Sequence, residues 1–501
     1  MTNVTKMNAE AKIEMTQDVP VVGNYDVVVC GGGPAGFIAA TASAREGART
    51  AIIEQYGFFG GMATAGFVNP ISVFSYNGGQ VTGGIPWEFV NRLKDCGGAE
   101  IESPLANVAF EPEHYKLIAQ RMVLEAGADI FMHSYLRGCV KDGNRVTHVI
   151  IDNKNGAEAL GARIFIDCTG DADLAAMAGV PVLESEGCAL QPLTSYFIMG
   201  GVNLDTPMMR EAIHHNRQGV NCHCIPVREK LLARKDKLNI PEFGGPWFCS
   251  TLRPGVVTVN ITRTAGNACD NREYSHAECR LREDAFRMAA ILKENVEEFR
   301  DSYLLAVSTQ AGVRETRRIK GVHVLTGDEY LDATRFEDSV SRGAHPIDIH
   351  VANGEKQNIT FLKEPAYVPY RSLIADDFPN LIVAGRCISA DKTAFASIRV
   401  QASCMDMGQA AGVAAAQCSS AGKDVQEVNI QVLTSRLREM GACRRPALSS
   451  LTASTNCLSL SSMLWKSGIV SPSVSGMSAS IASKLPKASP AYSEYSGLTV
   501  S

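Results

Sequence analysis

Apolar and polar positions fall into blocks along the first part of the chain. Asp26–Cys30 (DVVVC) is an unbroken β-branched run, the pattern of a strand buried on both faces of a parallel sheet. It leads directly into Gly31-Gly32-Gly33-Pro34-Ala35-Gly36. The stretch FIAATASAREG follows, made of good helix formers and closed by Gly47 as a C′ residue. Thr50–Ile53 returns as a second apolar strand with Glu54 at its end. Strand, turn, helix and strand within Tyr25–Glu54 predict one βαβ unit.

The pattern then becomes mixed. Pro112–Glu125 predicts a helix, and Ala128–Ile151 predicts several strands with a turn at Asp142-Gly143-Asn144. Arg163–Asp167 reads as a buried strand that enters Cys168-Thr169-Gly170-Asp171. Residues 182–375 mix strand-like pieces such as Val256–Ile261 with a charged helical stretch over His276–Tyr303. Asn380–Ala384 is a last apolar strand entering Gly385, and Arg399–Gln417 predicts one helix rich in Ala and Gly. From Ser449 onward the periodicity ends: 17 of the last 53 residues are serine, a composition that buries too little apolar surface to offset its ordering entropy.

Composition narrows the class. With 45% hydrophobic and 20% charged residues the chain resembles an ordinary globular protein, which excludes a wholly disordered, collagenous or coiled-coil one. A net charge of −5 gives no electrostatic reason to expect nucleic acid or an anionic membrane as partner. Residues 1–23 carry no apolar h-region, and no apolar run reaches the roughly 18 residues a bilayer span needs. The expectation is a soluble, cytoplasmic protein whose 15 scattered cysteines are reduced thiols.

The strongest local signal is GxGxxG at Gly31, Gly33 and Gly36. The first glycine allows the tight turn, the second lets the backbone approach a pyrophosphate, and the third lets helix and sheet pack closely. The N–H groups at the start of that helix, from Ala35 onward, then face the phosphates, with the helix dipole favouring their charge. Glu54 sits 18 residues after Gly36, near the offset of an acid that holds a ribose 2′-OH, and it disfavours the 2′-phosphate of NADP.

With these residues in place the chain resembles the glutathione-reductase-like FAD-dependent oxidoreductases. Within them it is similar to the branch related to the flavoprotein of heterodisulfide reductase and, more distantly, to fumarate reductase flavoproteins. Four blocks carry the resemblance: DVVVCGGGPAGFIAA with Glu54; GFFGGMATAG (Gly57–Gly66); IFIDCTGDADLAAMAGV (Ile164–Val180); and NLIVAGRCISADKTAFASIRVQASCMDMGQAAGVAAA (Asn380–Ala416). VRETRRIKGVHVLTGDEY (Val313–Tyr330) and AHPIDIH (Ala344–His350) resemble that branch specifically. The likeness implies that Gly31, Gly33, Pro34, Ala35, Gly36, Glu54 and Gln55 hold the ADP half of FAD, with Gly61, Met62 and Ala63 against pyrophosphate and flavin. It further implies that Thr169, Gly170 and Asp171 close the nucleotide side, and that Gly385 and Arg386 meet the ribityl–phosphate region. Arg399 would open a helix aimed at the flavin pyrimidine ring. An independent argument supports that last role, because a helix N-terminus stabilises the negative charge a reduced flavin carries near N1 and O2.

Candidates for substrate chemistry are the cationic and titratable residues of those blocks. Arg314, Arg317 and Arg318 cluster in RETRR, His345 and His350 flank PIDI, and Tyr370-Arg371 precede a short apolar run. An arginine fork binds a carboxylate or polarises a carbonyl, and a histidine relays protons near neutral pH. Arg314, His350 and Arg371 are the first choices. Each has a plainer alternative, an ion pair for the arginines and a structural hydrogen bond for the histidine. Cys222-His223-Cys224 is the one tight thiol group and lacks further ligands nearby, so no metal is assigned. Cys387 and Cys404 do not form a CxxC pair.

The reading is an α/β protein. A discontinuous Rossmann-type FAD-binding domain (24–181 and 376–445) carries an inserted α+β substrate or capping domain (182–375). A disordered N-terminus (1–23) and a Ser-rich tail (446–501) flank it. The function expected is FAD-dependent transfer of electrons or hydride between a small organic substrate and a second donor or acceptor, which an electron-transfer protein could be. Two alternatives stay open: an FAD-binding electron-transfer subunit serving an iron–sulfur partner, and a non-redox protein that uses FAD structurally.

Overall fold

The computed structural model describes residues 16–102, 105–183, 190–212, 225–241, 245–351 and 357–442. The Ser-rich tail and Cys222-His223-Cys224 lie outside them. The apolar run at the start of the chain becomes strand β1 (Val21–Cys30), which begins inside residues 1–23, read from sequence as a disordered N-terminus. Helix α1 (Pro34–Arg45) and strand β2 (Thr50–Ile53) complete the βαβ unit. Val27, Val28, Val29 and Cys30 are fully buried, because β1 has a parallel neighbour on each side and helices over the sheet.

The main sheet has seven strands in the order 129–131, β2, β1, 156–167, 145–153, 135–142, with 381–383 also paired to 156–167. The strand Gly156–Asp167 is the pivot. Its first half pairs antiparallel with Arg145–Asn153, and its last residues pair parallel with Leu381–Val383. The Rossmann-type sheet is therefore assembled from distant segments. Asn380 locks the junction: its side chain accepts from the Val146 N–H at 3.0 Å and donates to the carbonyls of Val146 and Arg163 at 2.7 and 3.0 Å.

A second, antiparallel sheet orders as 247–250, 257–260, 197–200, 303–307, and the helix Asn271–Asn295 packs its apolar stripe against it. The stretch 182–375 thus divides mainly between two large cores, with smaller clusters such as Leu193, Leu281 and Val313 beside them. Phe197, Met199, Phe248, Val259, Leu292 and Phe299 form a separate hydrophobic cluster, whereas Ile319, Tyr330, Val340, Val368 and Leu373 join the core of the main sheet.

The helix predicted over Arg399–Gln417 is observed over Gln401–Ala421, with a separate short helix before it. Lys392–Ile398 ends, the chain turns at Arg399 and Val400, and a fully packed helix runs from Gln401 to Ala421. The extended backbone of Val400 separates the two, although Ala and Ser on both sides are equally good helix formers. This long helix crosses α1 where Gly408 and Gly412 let the backbones meet: a Cβ there would stand 2.2 Å from the Ala35 carbonyl oxygen and 2.3 Å from that of Ala39. Among the described residues no helix is long and apolar enough to cross a membrane.

Candidate functional site

The carboxyl ends of the parallel strands carry the glycine turn. Gly31 has φ +94°, and a Cβ on it would lie 2.6 Å from the Cys168 carbonyl oxygen; at Gly36 it would lie 1.8 Å from that of Gly31. Both glycines are demanded by the protein's own packing. Gly33 is different. Its φ of −67° and ψ of −172° suit any residue, and a Cβ there meets nothing closer than the Gly61 Cα at 3.9 Å. It caps α1 without a side-chain acceptor, so the first N–H groups of the helix face outward.

Glu54 ends β2 beside this turn. Its carboxylate accepts the N–H groups of Gly32 at 2.7 Å and Tyr56 at 2.9 Å. Burial pushes its pKa up to about 7, only partly offset by those backbone donors. Gln55, the next residue, is exposed. The short turn Gly61–Ala63 lies on the other side, with the Gly60 N–H bonded to the Gly32 carbonyl at 2.9 Å.

Thr169, Gly170 and Asp171 follow the buried Asp167, which accepts from the Thr169 N–H and hydroxyl at 3.0 and 2.7 Å. Asp171 accepts from Arg386 at 3.1 Å and from the Thr316 hydroxyl at 2.5 Å, and the Arg317 Nε donates to its carbonyl at 2.8 Å. The Arg386 guanidinium fills the space over Gly170, where a Cβ would lie 2.6 Å from Nη2. Gly385, at φ +96°, abuts Ala35. The residues named for the nucleotide side thus converge on one edge, with Gln55 turned outward.

A second group gathers beyond the start of the helix Gln401–Ala421. The Val313 N–H reaches the Met62 sulfur at 3.4 Å, and Gln401 Nε2 donates to the Val68 carbonyl at 2.7 Å, joining this group to the loop after the glycine turn. Arg314 donates to the Pro192 carbonyl at 2.7 Å and to the Thr194 hydroxyl. His350 Nε2 bonds Asp348 Oδ2 at 3.0 Å, and Arg399 Nη2 donates to the Asp348 carbonyl at 3.0 Å. Burial, reinforced by Arg314 and opposed by Asp348, holds the His350 imidazole down at about 4, so it is neutral at pH 7. Against its own desolvation, Asp348 is held well below the usual carboxylate range by His350, Arg399 and His345.

Arg371 is placed elsewhere. Its backbone N–H and Nε both bond Asp338 at 3.0 Å, and its side chain is half exposed. That is the plainer ion-pair arrangement. Arg317 pairs with Asp173, and Arg318 lies over the Phe395 ring. His345 Nδ1 meets the Pro346 carbonyl at 2.7 Å. Cys387 and Cys404 are buried free thiols whose pKa values burial raises, that of Cys404 to about 12, which leaves them protonated.

The sequence reading missed Arg263, Thr194 and Asp348. Arg263 donates through Nη1 to the Thr194 hydroxyl at 3.1 Å and to Asn260 Oδ1 at 2.6 Å, and it is 7% exposed. One signal was present, an arginine closing the apolar run GVVTVNIT.

A family model described as FAD dependent oxidoreductase matches residues 26–437. The chain is similar to a thiamine thiazole synthase of Aeropyrum pernix, 31% identical over 136 residues, 25% of this chain and 43% of that protein. It is similar also to a digeranylgeranylglycerophospholipid reductase of Thermoplasma volcanium, 27% identical over 160 residues, 29% of this chain and 39% of that protein. The matches therefore span about two fifths of each curated relative. Among solved structures, a geranylgeranyl bacteriochlorophyll reductase-like protein of Thermoplasma acidophilum aligns at 15% identity and a TM-score of 0.40, covering 83% of this chain and 84% of its own.

Proposed function

The chain belongs to the FAD dependent oxidoreductase family, and from that premise we propose that it transfers electrons between FAD and a small organic substrate held at the Arg314–His350–Arg399 group. The residues present fit the cofactor. Gly33 leaves open the space that a Cβ would fill, directly before uncapped helix N–H groups, which suits a pyrophosphate. In this reading Gly31 to Gly36 and the turn Gly61–Ala63 bind the pyrophosphate, and Glu54 takes the ribose hydroxyls. Gly385 and Arg386, held by Asp171, support the middle of the cofactor, and the uncapped start of the helix Gln401–Ala421 faces the flavin ring. Bound FAD supplies the electron chemistry; the chain supplies orientation, charge and proton handling.

One observation carries the substrate side: the hydrogen bonds of Met62 to Val313 and of Val68 to Gln401 bring the arginine group against the cofactor loop. Arg314 and Arg399 orient a substrate there, and neutral His350, oriented by Asp348, is the residue able to hold or accept a proton. Anaerobic addition of small organic acids, alcohols and amines to the purified holoprotein is expected to bleach the visible flavin band with one of them. Reduction solely by a ferredoxin-like protein would replace this reading with that of an electron-transfer subunit.

Glu54 gives the binding half a pH signature. Ribose hydroxyls donating to the carboxylate favour its ionised form, so binding releases a proton wherever the apoprotein still holds one, below its pKa of about 7. FAD affinity is expected to rise with pH up to about 7 and then level off, by at most about tenfold per unit on the rising limb. Fluorescence titration of the apoprotein across that range checks it. Glu54→Gln should flatten the profile, and a flat wild-type profile would remove Glu54 as the ribose partner.

A further inference from the structure

Three guanidinium groups, that of Arg263 buried and those of Arg314 and Arg399 partly so, gather in front of the helix Gln401–Ala421, and one carboxylate is set among them. Arg263 and Arg314 both donate to the Thr194 hydroxyl, while Arg399 donates to Asp348. The acidic side is already claimed. Asp348 Oδ2 meets His350 at 3.0 Å and Arg399 at 3.4 Å, and Oδ1 accepts from Gln357 Nε2 at 2.5 Å. Tyr196, whose hydroxyl accepts from Asn260 at 2.7 Å, faces the same three arginines and stays protonated because burial raises its pKa. Since His350 is neutral at pH 7, the group carries three positive charges against one negative.

The unmet hydrogen-bonding capacity is mostly of one kind, the unpartnered acceptors being the amide oxygens of Gln357 and Gln401. Arg263 Nε and Nη2, Arg399 Nε and Gln191 Nε2 are buried donors with no acceptor among the described residues. Gln191 belongs to the same network, since its Oε1 accepts the His350 backbone N–H at 3.1 Å. An uncompensated buried charge is among the costliest features a protein can keep, and planar guanidinium donors match an oxygen pair better than a single water.

We propose that Arg263, with Arg314 and Arg399, forms the binding site for the carboxylate of an organic acid, and that Arg263 is its specificity-determining residue. The proposal rests on the functional reading above and names the substrate class at that site. The excess of positive charge would be met by the acid's own carboxylate groups, and the arginines would fix its orientation against the cofactor loop. Arg263 and Arg314 reach it from segments bridged through Leu193 and Thr194, and Arg399 from the turn before the helix Gln401–Ala421, so the acid would be clasped from two sides.

The test is titration of the FAD-loaded protein with succinate, acetate, inorganic phosphate and neutral succinamide, reading the flavin visible spectrum and the thermal midpoint. Succinate is expected to perturb the spectrum and raise the midpoint, acetate to do so more weakly, and succinamide to do neither. Arg263→Gln should keep its FAD and weaken the succinate response about tenfold or more, with Arg263→Lys in between. Phosphate or succinamide acting as well as succinate would overturn the proposal, as would an Arg263→Gln protein with the wild-type response or one that has lost FAD. If Arg263→Gln does not fold, the wild-type series and Arg263→Lys decide it alone. A protein that cannot be loaded with FAD defeats the functional reading instead, and the midpoint with succinate still reports on the anion site.

Discussion

Gly33→Val is expected to give a folded protein that has lost its FAD. The backbone at Gly33 lies in a region open to every residue, and the nearest atom to an added Cβ is 3.9 Å away. The apoprotein therefore gives up little more than the preference for glycine over valine as a helix cap, about 1 kcal/mol. What the side chain removes is room for the pyrophosphate against N–H groups that have no other partner. Charge-assisted hydrogen bonds of that kind contribute about 1.5–3 kcal/mol each, so losing two would reduce affinity by at least about a hundredfold. The measurement is flavin released per chain, with thermal midpoints compared apo against apo, since bound FAD raises the holoprotein's by linkage. Wild-type flavin content in Gly33→Val would mean that the cofactor does not pass over this turn.

Gly408→Val should do the reverse and break the fold first. A Cβ there would lie 2.2 Å from the Ala35 carbonyl oxygen and 2.8 Å from its carbon, both backbone atoms of α1. No flexible side chain can yield, so the long helix must move off α1 or the turn that α1 carries must shift. Overpacking in a tight core costs about 1–3 kcal/mol, and a contact with rigid backbone belongs at or above the upper end. The expected result is a marked fall in soluble yield and thermal midpoint. Ser420→Val, at an exposed position near the end of the same helix, should change stability by less than about 0.5 kcal/mol. Equal midpoints for the two variants would show that the helices are not in register at Gly408.

The halves of the site differ in how openly the chain displays them. The nucleotide half could be read from residues because its requirements are local: a turn needing φ above zero at Gly31, a close approach at Gly36 and an acid at the end of the next strand all fall within 24 residues. The substrate half is set by tertiary pairing. Thr194 meets Arg263 and Arg314 only because its strand segment lies between Thr264 and Gly312, a bridging that no periodicity announces. Arg314 and His350 were named from their motifs and do fall in that group. Arg371 was named on the same grounds, yet Asp338 holds it elsewhere. The short helix Lys392–Ile398 escaped for a different reason, since its seven residues, capped by Asp391, carry too little periodicity to stand out.

The strand Gly156–Asp167 takes one neighbour from just upstream and another from more than two hundred residues downstream. During synthesis, the glycine turn and its flanking βαβ unit leave the ribosome long before Leu381–Val383 and the helix that buttresses α1. Contacts of such large sequence separation form late, because chain closure must precede them. A nascent chain ending before these segments would display the nucleotide fingerprint and still lack the wall that holds it in shape. Flavin capture would thus act as a completion check, reporting that the two ends of the Rossmann sheet have found each other.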